Sequence, residues 1–167
     1  TLHDGGTTDF DNCIYPSDGA DRVVVRQCII SKWAGAGVQL YTGASPIQNP
    51  VVEHNIIFNT SGGIPGTANT DTGGFTNGHR TQGIISQNVV NSRVANNLVY
   101  ALRDDGLPRY GILLGTGSTR AYHNTVADNP TEGIEVAFDA ALSSEVKNNI
   151  LFNNAQGAIV DDRPLAA

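Results

Sequence analysis

The chain alternates short runs of apolar and polar residues, and one six-residue pattern returns along its length. Four segments read apolar-x-x-Asn-x-apolar: Val52-Glu53-His54-Asn55-Ile56-Ile57, Val94-Ala95-Asn96-Asn97-Leu98-Val99, Ala121-Tyr122-His123-Asn124-Thr125-Val126 and Val146-Lys147-Asn148-Asn149-Ile150-Leu151. A fifth, Val25-Arg26-Gln27-Cys28-Ile29-Ile30, carries Cys where the others carry Asn. The fourth position advances from 28 to 55, 97, 124 and 149, in steps of 27, 42, 27 and 25 residues. The step of 42 fits one repeat with a loop of roughly 15 extra residues (42 minus 27), placed at about 60–81. A further match, Ile85-Ser86-Gln87-Asn88-Val89-Val90, lies nine residues before Asn97, too close for a full repeat, so Asn88 is assigned to another corner of the same coil. A second marker alternates with the first: Gly precedes an apolar residue at Gly37-Val38, Gly83-Ile84, Gly111-Ile112, Gly133-Ile134 and Gly157-Ala158-Ile159, with Cys13-Ile14 as an earlier member.

Two markers in step describe a solenoid. One coil of short strands cannot bury its inward face alone, whereas stacked coils share a continuous core. Parallel stacking sets equivalent residues about 4.8 Å apart, so inward Val, Ile and Leu form columns. A repeated Asn is expected to take a left-handed bend and to bond its stacked copies, and glycine is expected at the other tight corner. Asn55, Asn97, Asn124 and Asn149 are thus scaffold. The pattern predicts about five to six coils over residues 13–161, a lead-in or remnant of a preceding coil at 1–12, and a tail at 162–167. It excludes a leucine-rich repeat, which needs a regular Leu frame, and a calcium-binding β-roll, which needs repeated Gly-Gly-x-Gly-x-Asp. Sustained helical periodicity is absent.

Composition narrows the partners. Gly makes up 19 of 167 residues, Met is absent and the formal net charge is -6. No cluster of Lys and Arg is present, so no nucleic-acid partner is expected. No apolar run reaches the length of a membrane span. Residues 1–12 lack the apolar centre of a signal peptide. No helical cap is evident at either end, so end-to-end association, or continuation into a longer chain, is expected.

Val94-Ala95-Asn96-Asn97-Leu98-Val99-Tyr100 and Lys147-Asn148-Asn149-Ile150-Leu151-Phe152-Asn153-Asn154 resemble bacterial right-handed parallel β-helix repeat proteins, the pectate-lyase-like superfamily. The resemblance spans roughly residues 13–161 and implies an all-β, right-handed parallel β-helix, a secreted or cell-surface location and a polysaccharide partner. It implies no single activity, because that superfamily holds lyases, hydrolases, epimerases, tailspikes and adhesins.

Aligning the coils gives outward strips. Directly before the Asn ladder run Gln27, His54, Asn96, His123 and Asn148; one place earlier run Arg26, Glu53, Ala95, Tyr122 and Lys147. As a saccharide groove, this face offers His54, His123 and Glu53 as candidate catalytic groups, and Arg26 and Tyr122 as candidate binding groups. The long loop adds Arg80 as a further catalytic candidate and His79 as a further binding candidate. As scaffold, the same face is a solvated surface with an Arg26–Glu53 pair of little energetic weight. Asn69-Thr70-Asp71 resembles a polygalacturonase-like motif, but Gly78-His79 follows it too closely and precedes Asp104-Asp105, so that match is rejected.

Other acidic groups, Asp9, Asp11, Asp104-Asp105 and Asp161-Asp162, read as turn residues. No metal site is expected and no cofactor is evident; calcium, which takes six to eight oxygens, stays open only if several coils contribute. Of the four Glu residues, Glu53 and Glu135 fall in expected strands on different faces, with Glu132 and Glu145 just outside strands. This argues against a hydrolase pair, which needs two close carboxylates. Cys13 and Cys28 sit on different edges, so two free thiols are expected, with Cys28 buried as a small hydrophobe. Two functional readings stay open. One is a segment of an extracellular polysaccharide-active protein, lyase-like and acting on a uronic-acid glycan. The other is a non-catalytic carbohydrate-binding or adhesin-type module.

Overall fold

The computed structural model describes residue 2 and residues 12–16, 19–31, 33, 35–58, 82–102, 110–137 and 143–163. The first described coil holds strands β1 (Val24–Arg26), β2 (Ile29–Ser31) and β3 (Ala36–Leu40). The second holds β4 (Ile47–Gln48), β5 (Val51–Glu53), β6 (Ile56–Phe58) and β7 (Gln82–Ser86). β8 (Val89–Ala95), β9 (Leu98–Tyr100) and β10 (Ile112–Leu114) make the third. The fourth is β11 (Gly117–Tyr122), β12 (Thr125–Ala127) and β13 (Glu132–Val136), and the fifth is β14 (Glu145–Lys147), β15 (Ile150–Phe152) and β16 (Gly157–Asp161).

Every strand pairing is parallel and joins one coil to the next, giving three sheets: β1-β5-β8-β11-β14 with β4 also on β8, β2-β6-β9-β12-β15, and β3-β7-β10-β13-β16. Bridges Leu2–Ile30 and Ile14–Val38 extend the second and third sheets before the first coil, and Asp21–Gln48 joins the first coil to β4. Ile14 therefore does share the column of Val38, as the spacing predicts.

The alternating pattern turns the middle residue of each strand triplet inward in the first and second sheets, and the two flanking residues inward in the third. Val52 and Val94 in the first sheet, Ile57 and Val99 in the second, and Ile84 and Ile112 in the third are all buried at 0% exposure. Their columns converge on one axial core. One inward column is not wholly apolar: Leu40, Ser86, Leu114 and Val136 stack in it. The Ser86 hydroxyl is satisfied by Ser92 Oγ at 2.9 Å and Thr119 Oγ1 at 2.8 Å.

Asn55, Asn97, Asn124 and Asn149 form a continuous ladder between the first and second sheets. The Nδ2 of Asn55, Asn97 and Asn124 each donates to the Oδ1 of the next coil's Asn at 2.9 to 3.0 Å. That same Oδ1 also accepts the preceding coil's main-chain N–H, at 3.1 Å from Asn55, 3.0 Å from Asn97 and 2.8 Å from Asn124. Every amide also donates to a strand carbonyl of the coil before it, as Asn97 does to Val52 at 2.9 Å. These bonds satisfy polar groups at a corner where Asn55, Asn97 and Asn124 are buried.

The left-handed bend, however, is not at the ladder Asn. It falls one residue earlier, on Gln27, His54, Asn96, His123 and Asn148, with φ between 54° and 56°. The ladder residue must aim its carboxamide along the axis, so its neighbour takes the turn. Asn88 marks a different corner, as expected: its amide reaches back to the carbonyl and hydroxyl of Thr42, each at 2.9 Å.

The glycine corner also differs from expectation in its cause. Gly37, Gly83, Gly111 and Gly133 have no positive φ. A Cβ on Gly83 would stand 2.5 Å from both the Gly111 carbonyl oxygen and Val99 Cγ1. The column is glycine because the core and the next coil leave no room for a side chain.

Candidate functional site

The first sheet carries the chemically varied face. Its register pairs Arg26 with Glu53, Glu53 with Ala95, Ala95 with Tyr122 and Tyr122 with Lys147, as the aligned repeats predict. The strands also present a second outward column, Val24, Val51, Arg93, Arg120 and Glu145. Sequence alignment by the Asn motif stopped one residue short of it. Applying the period of two to the same strands would have found Arg93 and Arg120.

Glu53 is not half of a weak surface pair. Its carboxylate is buried, with Oε1 held by Arg26 Nη2 at 2.5 Å and Oε2 held by Arg93 Nη2. The two guanidiniums come from the first and third coils and are each about half exposed. Glu53 is thus a fixed counter-ion that orders two cations across three coils, and both of its oxygens are occupied.

Tyr122 lies on the same face. Its hydroxyl donates a short hydrogen bond to Glu145 Oε2, while Lys147 Nζ donates to Glu145 Oε1 at 3.1 Å. The bond to Glu145, with partial burial and the neighbouring negative charge, raises the Tyr122 pKa above its ordinary value. The same bond, then that from Lys147, holds the Glu145 carboxyl below the usual carboxylate range. A phenol pushed up in this way stays protonated and keeps its ring for contact with a ligand. Glu145 begins β14 and Glu132 begins β13, so both lie in strands rather than just outside them. The Arg120 side chain is exposed, and its charge helps to hold the Glu145 carboxyl down.

His54 and His123 stand two coils apart, about 10 Å at the strand spacing, with Asn96 between them. Both are exposed and both occupy the left-handed bend. Asn, Gln and His serve equally there, which marks the position as a turn whose side chain projects outward. Among the described residues no group of three or more His, Cys, Asp or Glu is placed to hold a metal ion. His79 and Arg80 lie outside the described residues, as do Asp9, Asp11, Asp71 and Asp104-Asp105.

A buried Asn ladder and three parallel sheets stacked around one apolar axis are now matched by comparison: the model of the right handed beta helix region covers residues 11–163. The chain belongs to the right-handed β-helix family. No curated protein and no solved structure matches it. Within this β-helix, Glu53 and Glu135 do fall on different sheets, the first and the third. Both thiols are free. Cys28 is only partly buried, its Sγ 3.4 Å from the Arg26 carbonyl, where full burial was expected. Asp161 is not a turn residue either. It ends β16 and is gripped by Arg163 through Nε at 2.8 Å and Nη2 at 2.6 Å, which lowers its pKa.

Proposed function

We propose that this β-helix is a non-catalytic module that binds an acidic polysaccharide along the outer face of its first sheet, in an extracytoplasmic setting. The observation that carries the reading is a local reversal of charge. In a chain of net charge -6, the two outward columns of this sheet hold Arg26, Arg93, Arg120 and Lys147 against Glu53 and Glu145. A polymer with a carboxylate or sulfate on each sugar, laid across coils about 4.8 Å apart, meets a cation in four of the five coils. Such a strip attracts polyanions in a salt-dependent way. Tyr122 adds a ring at the centre. Against catalysis stand the doubly held Glu53 carboxylate, the raised Tyr122 phenol and the turn role of both histidines.

Affinity electrophoresis through gels containing polygalacturonate, alginate or chondroitin sulfate tests this. The protein is expected to be retarded in acidic gels and released by salt, without generating the absorbance of unsaturated products, with or without calcium. Equal mobility in acidic and neutral gels would refute binding. Product formation lost in His54→Ala or His123→Ala would refute the non-catalytic assignment.

A further inference from the structure

The second sheet faces outward with a different chemistry. Its five strands show no charged residue at either outward column, Ile29-Ile56-Leu98-Thr125-Ile150 or Ser31-Phe58-Tyr100-Ala127-Phe152. Ile29, Ile56, Leu98, Ile150 and Phe152 are exposed, the last two by 64% and 66%. Phe58 and Tyr100 stack with ring centroids 5.2 Å apart, extending the strip across coils. Along one border stand the polar bend residues, including His54, Asn96 and His123; along the other stand Ala101, Asp128 and Asn153 in the last three coils. The strip is a narrow apolar lane with a polar kerb along one side and polar residues in the last two coils of the other.

We infer that this lane is a second glycan site, for an uncharged polysaccharide whose pyranose ring faces lie on the apolar columns and whose hydroxyls reach the polar borders. Its dimensions choose among occupants. Five strands span about 24 Å and three residues about 10 Å, roughly 240 Å² in projection. A stable protein partner needs about 800 Å² on each side, so the lane is too small to hold a second copy by itself. An extended peptide would lie on a sheet face, where the main chain beneath is already paired. Its own N–H and C=O groups would be left without partners against apolar side chains. A sugar ribbon has no such groups: its ring faces present C–H and its polar edges point sideways. The absence of charge excludes the acidic polymer proposed for the first sheet. The inference therefore does not rest on that reading.

The same electrophoresis with gels containing a soluble neutral β-glucan or β-mannan tests it. Thr125 and Ala127 already occupy the two columns in the fourth coil, so Leu98→Thr and Phe152→Ala suit the fold, and circular dichroism with thermal melting verifies that they do. Retardation by the neutral polymer is expected, at least five-fold weaker in the double variant and unchanged in Arg120→Glu. No retardation of the natural chain overturns the inference, as does retardation indifferent to the double variant. So does a dimer in sedimentation that separates on Leu98→Thr, or flotation with neutral lipid vesicles lost in the double variant. Loss of acidic-glycan binding alone would refute the first-sheet reading and leave this one intact.

Discussion

The first and second sheets flank the same Asn ladder, share the same register and bury the same kind of inward residue, yet their outer faces have opposite characters. One bears four cations and two carboxylates within two columns. The other bears no charge at all. The contrast shows that in this solenoid the inward positions fix the path of the chain and leave the outward ones free. In these two sheets a strand triplet has one residue for the core and two for the surface, so neighbouring sheets can differ as much as two separate proteins.

The strongest way to break the comparison is to remove the corner both faces share. Asn97→Ala would leave the Asn55 N–H and amide without their acceptor and expose the ladder to a gap. At about 1–3 kcal/mol for each buried group left unsatisfied, a loss of roughly 3 kcal/mol is expected, read as a lower thermal midpoint and loss of binding at both sheets together. Gly83→Val acts at the opposite corner, where even a methyl collides with Val99; overpacking of about 1–3 kcal/mol is expected, with the same joint loss.

Next comes Glu53→Gln, which touches the charged face alone. The two arginines lose their common anchor but stay half in water, so a cost of about 1–2 kcal/mol is expected, less than for a fully buried pair. Binding of acidic glycan should weaken through disorder of Arg26 and Arg93 although a negative charge has been removed. Tighter binding would show that Glu53 only repels the ligand.

A smaller change sharpens the contrast without touching stability. Arg120→Glu should leave the stability within about 0.5 kcal/mol of the natural chain. It should weaken acidic-glycan binding by about five-fold, the equivalent of about 1 kcal/mol. The smallest expected effect is in pH. Glu145 is held below its ordinary value of 4.5, so its contribution to stability is complete above that value and is lost as pH falls through the depressed one. In Tyr122→Phe the carboxyl titration followed by NMR should move back toward 4.5; an unmoved midpoint would mean that Lys147 sets the shift.

Much of the fold was legible because stacking forces like residues into columns. The period of Asn55, Asn97, Asn124 and Asn149 gave the coil length, the ladder and the register of Glu53 against Arg26, all of which the structure shows. The left-handed bend was misplaced by one residue, since adjacent polar residues at a corner share a composition and only geometry separates their roles. Glycine was read as a turn former when the constraint is contact with Val99 and the next carbonyl, a distance between coils that no local pattern encodes. The site was less legible still. His54 and His123 drew attention as chemistry-bearing residues, though their backbone conformation gives them a turn to make. Glu53 looked exposed because its second guanidinium, from Arg93, lies two strands away from Arg26 in the sheet and on a different column from Ala95.

The Asn ladder has a direction. Each carboxamide oxygen receives from the coil before it, and Cys28, which has no such oxygen, stands at the first step and only gives, through its N–H to Asn55 at 3.0 Å. Injury at one rung is therefore felt upstream: losing the oxygen of Asn124 strands the amide of Asn97, while the coil of Asn149 keeps all of its own acceptors. The solenoid is stitched like a one-way seam, and a cut stitch unravels toward its beginning.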